Sequence, residues 1–193
     1  MKIQEKISYI LIAFLSYQQY FKPYVQNQPN LNYKILFTPG DNCTQEIVNE
    51  ISSAKKEILI QAFAFTCDKI KEALIKSAKK KVKITILIDK RFAYKNIIQE
   101  LIENGINAYV DLVSGIAHNK IIIIDKKKII TGSFNFTHAA QHKNTENCVF
   151  INDEKITKKF IENFEKRLNS KRIKKIHPTI VFDENNQIDQ EFC

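Results

Sequence analysis

Arginine is scarce in this chain. Only Arg91, Arg167 and Arg172 occur, against a Lys+Arg total of 30 in 193 residues. A protein that reads guanines or grips phosphates with planar forks would favour arginine over lysine. The cationic balance therefore points to general electrostatic attraction and argues against sequence-specific reading. Glycine is scarce too, at four residues. With abundant lysine, isoleucine and asparagine, this usage is what AT-rich coding produces, so part of the +9 formal charge is compositional background. Cys43, Cys67, Cys148 and Cys193 contain no Cys-x-x-Cys pair, which argues against a zinc knuckle. They are free thiols or pair in one of three connectivities, according to the redox compartment. No carboxylate cluster suggests a metal, no cofactor is expected, and no internal repeat is present. No uncharged run reaches the ~20 residues of a membrane-spanning helix.

The length fits one domain with a proper core. The positive balance suggests an anionic partner, either nucleic acid or an acidic membrane. After Met1–Lys6, residues Ile7 to Tyr17 carry no charge. That is the length of a signal-peptide core, although a small-x-small cleavage pattern is missing. Two readings of residues 1–22 stay open: a cleaved signal peptide, or an uncleaved amino-terminal anchor that associates with a membrane through residues 7–21. Either would remove the remainder from the cytosol, making it secreted, periplasmic or membrane-anchored. Residues 23–32, with Pro23, Pro29 and several amides, read as a linker.

From residue 33 to 175 strands alternate with helices. Strands are expected at 33–37, 57–65, 83–89, 107–112, 117–125, 129–131 and 148–151. Helices are expected at 44–54, behind the turn Pro39-Gly40-Asp41-Asn42, then at 68–80, at 94–104 before Gly105, and from Asp153 onward. The last carries Phe160, Ile161, Phe164 and Leu168 on one stripe. This order predicts an α/β domain, a mixed sheet with helices on both faces. Between Lys155 and Lys175 nine Lys or Arg face only Glu162 and Glu165. Such a stretch is more often a solvated helix face than a binding site. Residues 176–193 read as an acidic tail.

One stretch stands apart. His118, Lys120, Asp125, Gly132, Ser133 and Asn135 follow the pattern His-x-Lys-x4-Asp-x6-Gly-Ser-x-Asn. Alone, a histidine in a strand and a snorkelling lysine mean little. Six typed positions at fixed spacing are another matter. In a regular strand His118 and Lys120 share a face and Asp125 points the other way. A proton carrier thus sits beside a fixed positive charge, which is what an anionic phosphate needs.

The pattern resembles the HKD signature of the phospholipase D superfamily. Phe136 and Thr137 extend the likeness, and Glu146 stands where the family often places an acidic residue that orients its histidine. The resemblance covers about residues 33 to 168 and is strongest to short, single-motif bacterial endonucleases. It also extends to a mitochondrial-surface enzyme and to small secreted phospholipases D.

The resemblance implies metal-independent phosphodiester hydrolysis. Histidine supplies a nucleophile and a proton because its pKa lies near neutrality. Lys120, Ser133 and Asn135 would stabilise and bind the phosphoryl oxygens. Glu146 would fix an imidazole tautomer, while Asp125 and Gly132 would be structural. In the family two histidines serve one site, one forming a phosphohistidine and the other protonating the leaving group. A single motif then implies a homodimer with a shared active site, each chain donating His118 and Lys120. The expected substrate is nucleic acid, with phospholipid of the phosphatidylcholine type as the alternative. A non-catalytic nucleic-acid- or membrane-binding protein is the third reading. His138 and His142 read as surface groups or substrate neighbours in a polar loop, and His177 as incidental. Phe63, Phe65, Phe134 and Phe136 could stack on bases, but most of them are expected in the core.

Overall fold

The computed structural model describes residues 32–177. The expected signal or anchor, most of the linker, Cys193 and the acidic tail beyond 177 lie outside the described residues.

Isoleucine-rich runs form the strands, and amphipathic segments between them form the helices. In chain order these are β1 (Asn32–Thr38), α1 (Cys43–Ser53), β2 (Glu57–Ala62), α2 (Asp68–Lys79), β3 (Lys83–Asp89), α3 (Asn96–Glu103) and β4 (Asn107–Asp111). Then come β5 (Lys120–Ile124), β6 (Lys128–Gly132), α4 (His138–His142), β7 (Glu146–Asn152), α5 (Glu154–Leu168) and β8 (Ile173–Lys175). The strands form one sheet in the order β1-β7-β6-β5-β2-β3-β4-β8. β2, β3 and β4 run parallel, while β5, β6, β7 and β8 each pair antiparallel with a neighbour. The sheet is therefore mixed, as the sequence predicts.

Two cores follow from the period-2 alternation of each strand. On one face Ile58, Ile60, Ile86, Ile88, Ile122 and Ile124 pack against Ile47 and Ile51 of α1, Ile70 and Leu74 of α2, and Ile98 and Leu101 of α3. On the other, Leu87, Ile121, Ile123 and Ile129 pack against Phe164 of α5, with Phe160, Ile161 and Leu168 at the margin. β5 is buried along its whole length because helices cover both of its faces. No helix among the described residues is long and apolar enough to cross a membrane.

Local signals set the boundaries. Asn42 caps α1 by accepting Gln45 N–H, and Asp153 caps α5 by accepting Ile156 N–H at 2.8 Å. Gly105, at φ +82°, follows α3 and donates to Ile102 O. Several details depart from expectation. β2 ends at Ala62, and α3 starts at Asn96. Residues 138–142 form a short helix capped by Thr137, where a polar loop was expected. Ile173–Lys175, inside the basic stretch, is an edge strand on β4. The chain is held beyond it, since Ile176 is buried and donates to Ala108 O. Cys43, Cys67 and Cys148 are buried free thiols. Burial, and secondarily Cys43, pushes the Cys148 thiol up.

Candidate active site

The motif residues other than Asp125 gather where the end of β2, the start of β5, the end of β6 and the start of β7 converge. The ladder between β2 and β5 begins with Ala62 opposite Lys120. Because β2 stops there, the residues before Lys120 have no strand partner. His118 therefore lies in the loop ahead of β5, exposed, and not inside a regular strand as the spacing predicts. That loop is pinned from two sides. Ala117 N–H donates to Asp89 Oδ2 at 2.7 Å, and Asn119 Nδ2 donates to Gln61 Oε1 at 2.6 Å. Asp89 is fully buried and also accepts Arg91 N–H at 3.0 Å.

His118 and Lys120 still meet. The Lys120 ammonium turns back to donate to the His118 carbonyl at 2.7 Å. Both groups rest on Phe63, with the imidazole 4.7 Å from the ring centroid, edge to face, and the ammonium 5.0 Å from it. Lys120 is only 6 % exposed. Burial holds its pKa below the usual lysine range, and the charge of Glu146 opposes that shift.

Gly132 ends β6 at φ +145°, and a Cβ there would lie 2.3 Å from the Asn147 carbonyl oxygen. Only glycine admits this approach. The same carbonyl accepts the N–H groups of Ser133 and Phe134, while Ser133 Oγ accepts Asn147 N–H at 3.0 Å. Residues 133 and 147 thus clasp each other beside Glu146. Phe136 O accepts both Thr66 and Cys67 N–H, which ties the segment to the chain leaving β2. Phe65, Phe134 and Phe136 are core residues, at most 2 % exposed. Asn135 Oδ1 is buried with no hydrogen-bond partner.

Asp125 lies at the far end of β5, away from His118. Its carboxylate accepts the N–H groups of Lys55, Lys56 and Glu57 at 2.8, 2.7 and 3.0 Å. Burial pushes this carboxyl up, but those three N–H bonds and the charge of Lys56 outweigh it and hold the pKa below the usual carboxylate value. The partners that the sequence left unnamed are thus the turn before β2. Within one chain Glu146 does not reach His118; its Oε1 accepts Asn144 Nδ2 at 2.9 Å.

A cleft of about 300 Å³ opens beside His118 on the α5 face, lined among others by Gln61, Val113, Ile116 and Asn119. Its wall holds Arg167, from the basic stretch, in a bidentate pair with Asp111. His138 and His142 lie outside this cluster, their rings stacked with centroids 4.2 Å apart. Among the described residues no group of three or more His, Cys, Asp or Glu is placed to hold a metal ion.

Sequence reasoning missed Gln61 and Asp89, and it singled out Phe63 only as a ring that could stack on a base. Asp89 carried a signal: a charge closing an otherwise apolar strand at its carboxyl end, where open α/β sheets place their sites. Nothing marked Phe63 as a platform for His118 and Lys120, because an aromatic after an apolar run reads first as core.

Comparison with known proteins agrees with this geometry. The family model described as "Cardiolipin synthase, PLD-like domain" matches residues 47–168. A protein named Phospholipase D from Rickettsia prowazekii (strain Madrid E) is 41 % identical over 138 residues, covering 70 % of this chain and 67 % of its own length. Mitochondrial cardiolipin hydrolase of Canis lupus familiaris is 29 % identical over 129 residues, covering 66 % of this chain and 51 % of its own length. Among solved structures, the phospholipase D family member Nuc from Salmonella typhimurium superposes with a TM-score of 0.70 at 31 % identity, over 77 % of this chain and 99 % of Nuc. Five of the six motif residues converging at one end of a mixed sheet, a matching family model and these relatives carry one conclusion: the chain belongs to the phospholipase D superfamily and is a phosphodiesterase.

Proposed function

We propose that this phosphodiesterase is a metal-independent endonuclease of DNA or RNA with little sequence preference, working as a homodimer that shares one active site. The observation that carries the dimer is the content of a single chain: one exposed imidazole, His118, beside one buried ammonium, Lys120. Hydrolysis through a covalent intermediate needs two proton-active groups at one phosphorus, and two copies related by a two-fold axis supply them.

The steps balance as follows. An imidazole nitrogen of one His118 attacks phosphorus, and a P–N bond forms as the P–O bond to the leaving group breaks. The second His118, protonated, gives its proton to that leaving oxygen. Water then attacks the phosphohistidine, the second imidazole takes the water's proton, and the P–N bond breaks. The first imidazole starts neutral and the second protonated, so the pair returns to its initial state after the second step. Lys120 from each chain balances charge on the non-bridging oxygens. Asn135 joins it: a buried amide atom without a partner is costly, and a phosphoryl oxygen would complete the site once the amide nitrogen occupies that position. The charge of Glu146 favours the cationic form of the buried Lys120.

The net charge of +9 and the likeness to short single-motif endonucleases favour nucleic acid. A second reading, a phospholipase D acting on phosphatidylcholine-type lipids, is favoured by the names of the Rickettsia relatives. The uncharged run Ile7 to Tyr17 fits export or anchoring under either reading. Parallel assays on plasmid DNA and phosphatidylcholine vesicles, both with chelator present, decide between them. The nuclease reading expects plasmid cleavage that His118→Ala abolishes without loss of fold or dimer. Vesicle turnover without plasmid cleavage reverses the ranking.

A further inference from the structure

Arginine is rare in this chain, so the place of each one matters. Arg167 is neutralised by the bidentate carboxylate of Asp111. Arg172 stands on the turn before β8. Arg91 is different. It leaves β3 just past Asp89, which pairs with its Nε at 3.4 Å, and its side chain is 47 % exposed. Its guanidinium lies over the Phe63 ring, with Cζ 5.2 Å from the centroid. That ring is the one that carries the His118 imidazole and the Lys120 ammonium. One aromatic plate therefore holds two cations and the candidate nucleophile. Arg91 lies no farther from the imidazole than two ring contacts, of 4.7 and 5.2 Å, laid end to end.

The scissile phosphate has its own partners in Lys120 and Asn135. A partly exposed guanidinium, oriented by a ring face and paired with Asp89 on its Nε side, can present its terminal nitrogens to another anion. Nucleic acid supplies one close at hand, since phosphates follow one another along a strand at roughly 3.4 Å of axial rise in a duplex. A phosphatidylcholine headgroup carries a single phosphate and has no such neighbour.

We propose that Arg91 binds a second phosphate of the substrate, next along the strand from the one that His118 attacks. Phe63 is the positioning residue that fixes the spacing between the two anion sites. This inference rests on the nuclease reading and deepens it: the substrate class is a strand with at least two neighbouring phosphates.

The test compares a dinucleoside monophosphate, which holds only the scissile group, with the same dinucleotide bearing an added 5′- or 3′-terminal phosphate. The wild-type full-length protein is expected to gain about tenfold in KM from the added phosphate at one of the two ends, the scale of one partly exposed charge-assisted hydrogen bond. Arg91→Gln is expected to erase that gain and leave kcat and KM on the monophosphate unchanged, while Arg91→Lys keeps part of it. An equal loss on both substrates in Arg91→Gln, or a gain that survives in it, overturns the proposal. A wild type that cleaves all of these equally overturns this inference alone. A wild type that cleaves none of them, and acts only on phosphatidylcholine vesicles, overturns the nuclease reading and this inference together.

Discussion

Asp125 is part of the catalytic signature, yet its carboxylate serves the fold. It binds three successive backbone N–H groups leading into β2, the last that of Glu57, and its own N–H donates to Glu57 O at 3.0 Å. Those bonds lock the start of β2 to the end of β5, one residue before the Ile58–Ile124 pair. Asp125→Asn keeps the shape but removes the charge and turns one acceptor into a donor facing an N–H. The Lys55 and Lys56 bonds are exposed and water replaces them, so the half-buried Glu57 N–H carries most of the penalty. A loss of about 2 kcal/mol follows, or about 6 °C in midpoint for a domain of this size. The pH dependence has a definite sign. The folded pKa lies below the unfolded value, so the stabilisation is complete above the unfolded pKa and disappears as pH falls through the folded one. Thermal denaturation from pH 8 to pH 3 should therefore show wild type above Asp125→Asn at neutrality and the two converging in acid. Turnover of the variant well below its midpoint should match wild type. Equal midpoints at pH 7, a gap that persists in acid, or a lower kcat in folded Asp125→Asn would refute the reasoning.

Two further outcomes follow from the site. Burial depresses the Lys120 pKa and Glu146 opposes it, and a cation needed for turnover is lost as pH rises through its pKa. Glu146→Gln should therefore move the alkaline limb of kcat/KM to lower pH; a limb that stays or moves upward contradicts the assigned electrostatics. Gly132→Ala would put a Cβ 2.3 Å from a backbone oxygen at a left-handed φ of +145°. It should cost about 3 kcal/mol or more by urea unfolding, and a loss under about 1 kcal/mol would show that the 132–147 clasp is soft.

The fold was legible in the sequence because its signals are local. Isoleucine runs set the strands, Asn42 and Asp153 cap helices, and Gly105 follows one. The motif named its own residues by spacing. What spacing does not carry is the third dimension. His118 was expected in a strand because the run Ile121–Ile124 continues upstream without a turn signal, whereas strand pairing is decided by where β2 ends. Phe63 joins the site through contacts with His118, Lys120 and Arg91 that no linear pattern records. β8 escaped notice because its three residues are mostly basic, and an edge strand needs little apolar content. Glu146 is placed beside an imidazole by the resemblance; within one chain its carboxylate accepts Asn144 Nδ2 and its charge acts on Lys120.

The central claim is that two His118 imidazoles from identical chains act on one phosphorus, one of them bonding to it. Rapid acid quenching of the dimer during turnover of a phosphorus-labelled substrate, followed by peptide mapping, measures this directly. The account predicts label on His118 at no more than one per two chains, and none in His118→Ala. Label on another residue, label on every chain at once, or full activity from a monomer in sedimentation under assay conditions would contradict it.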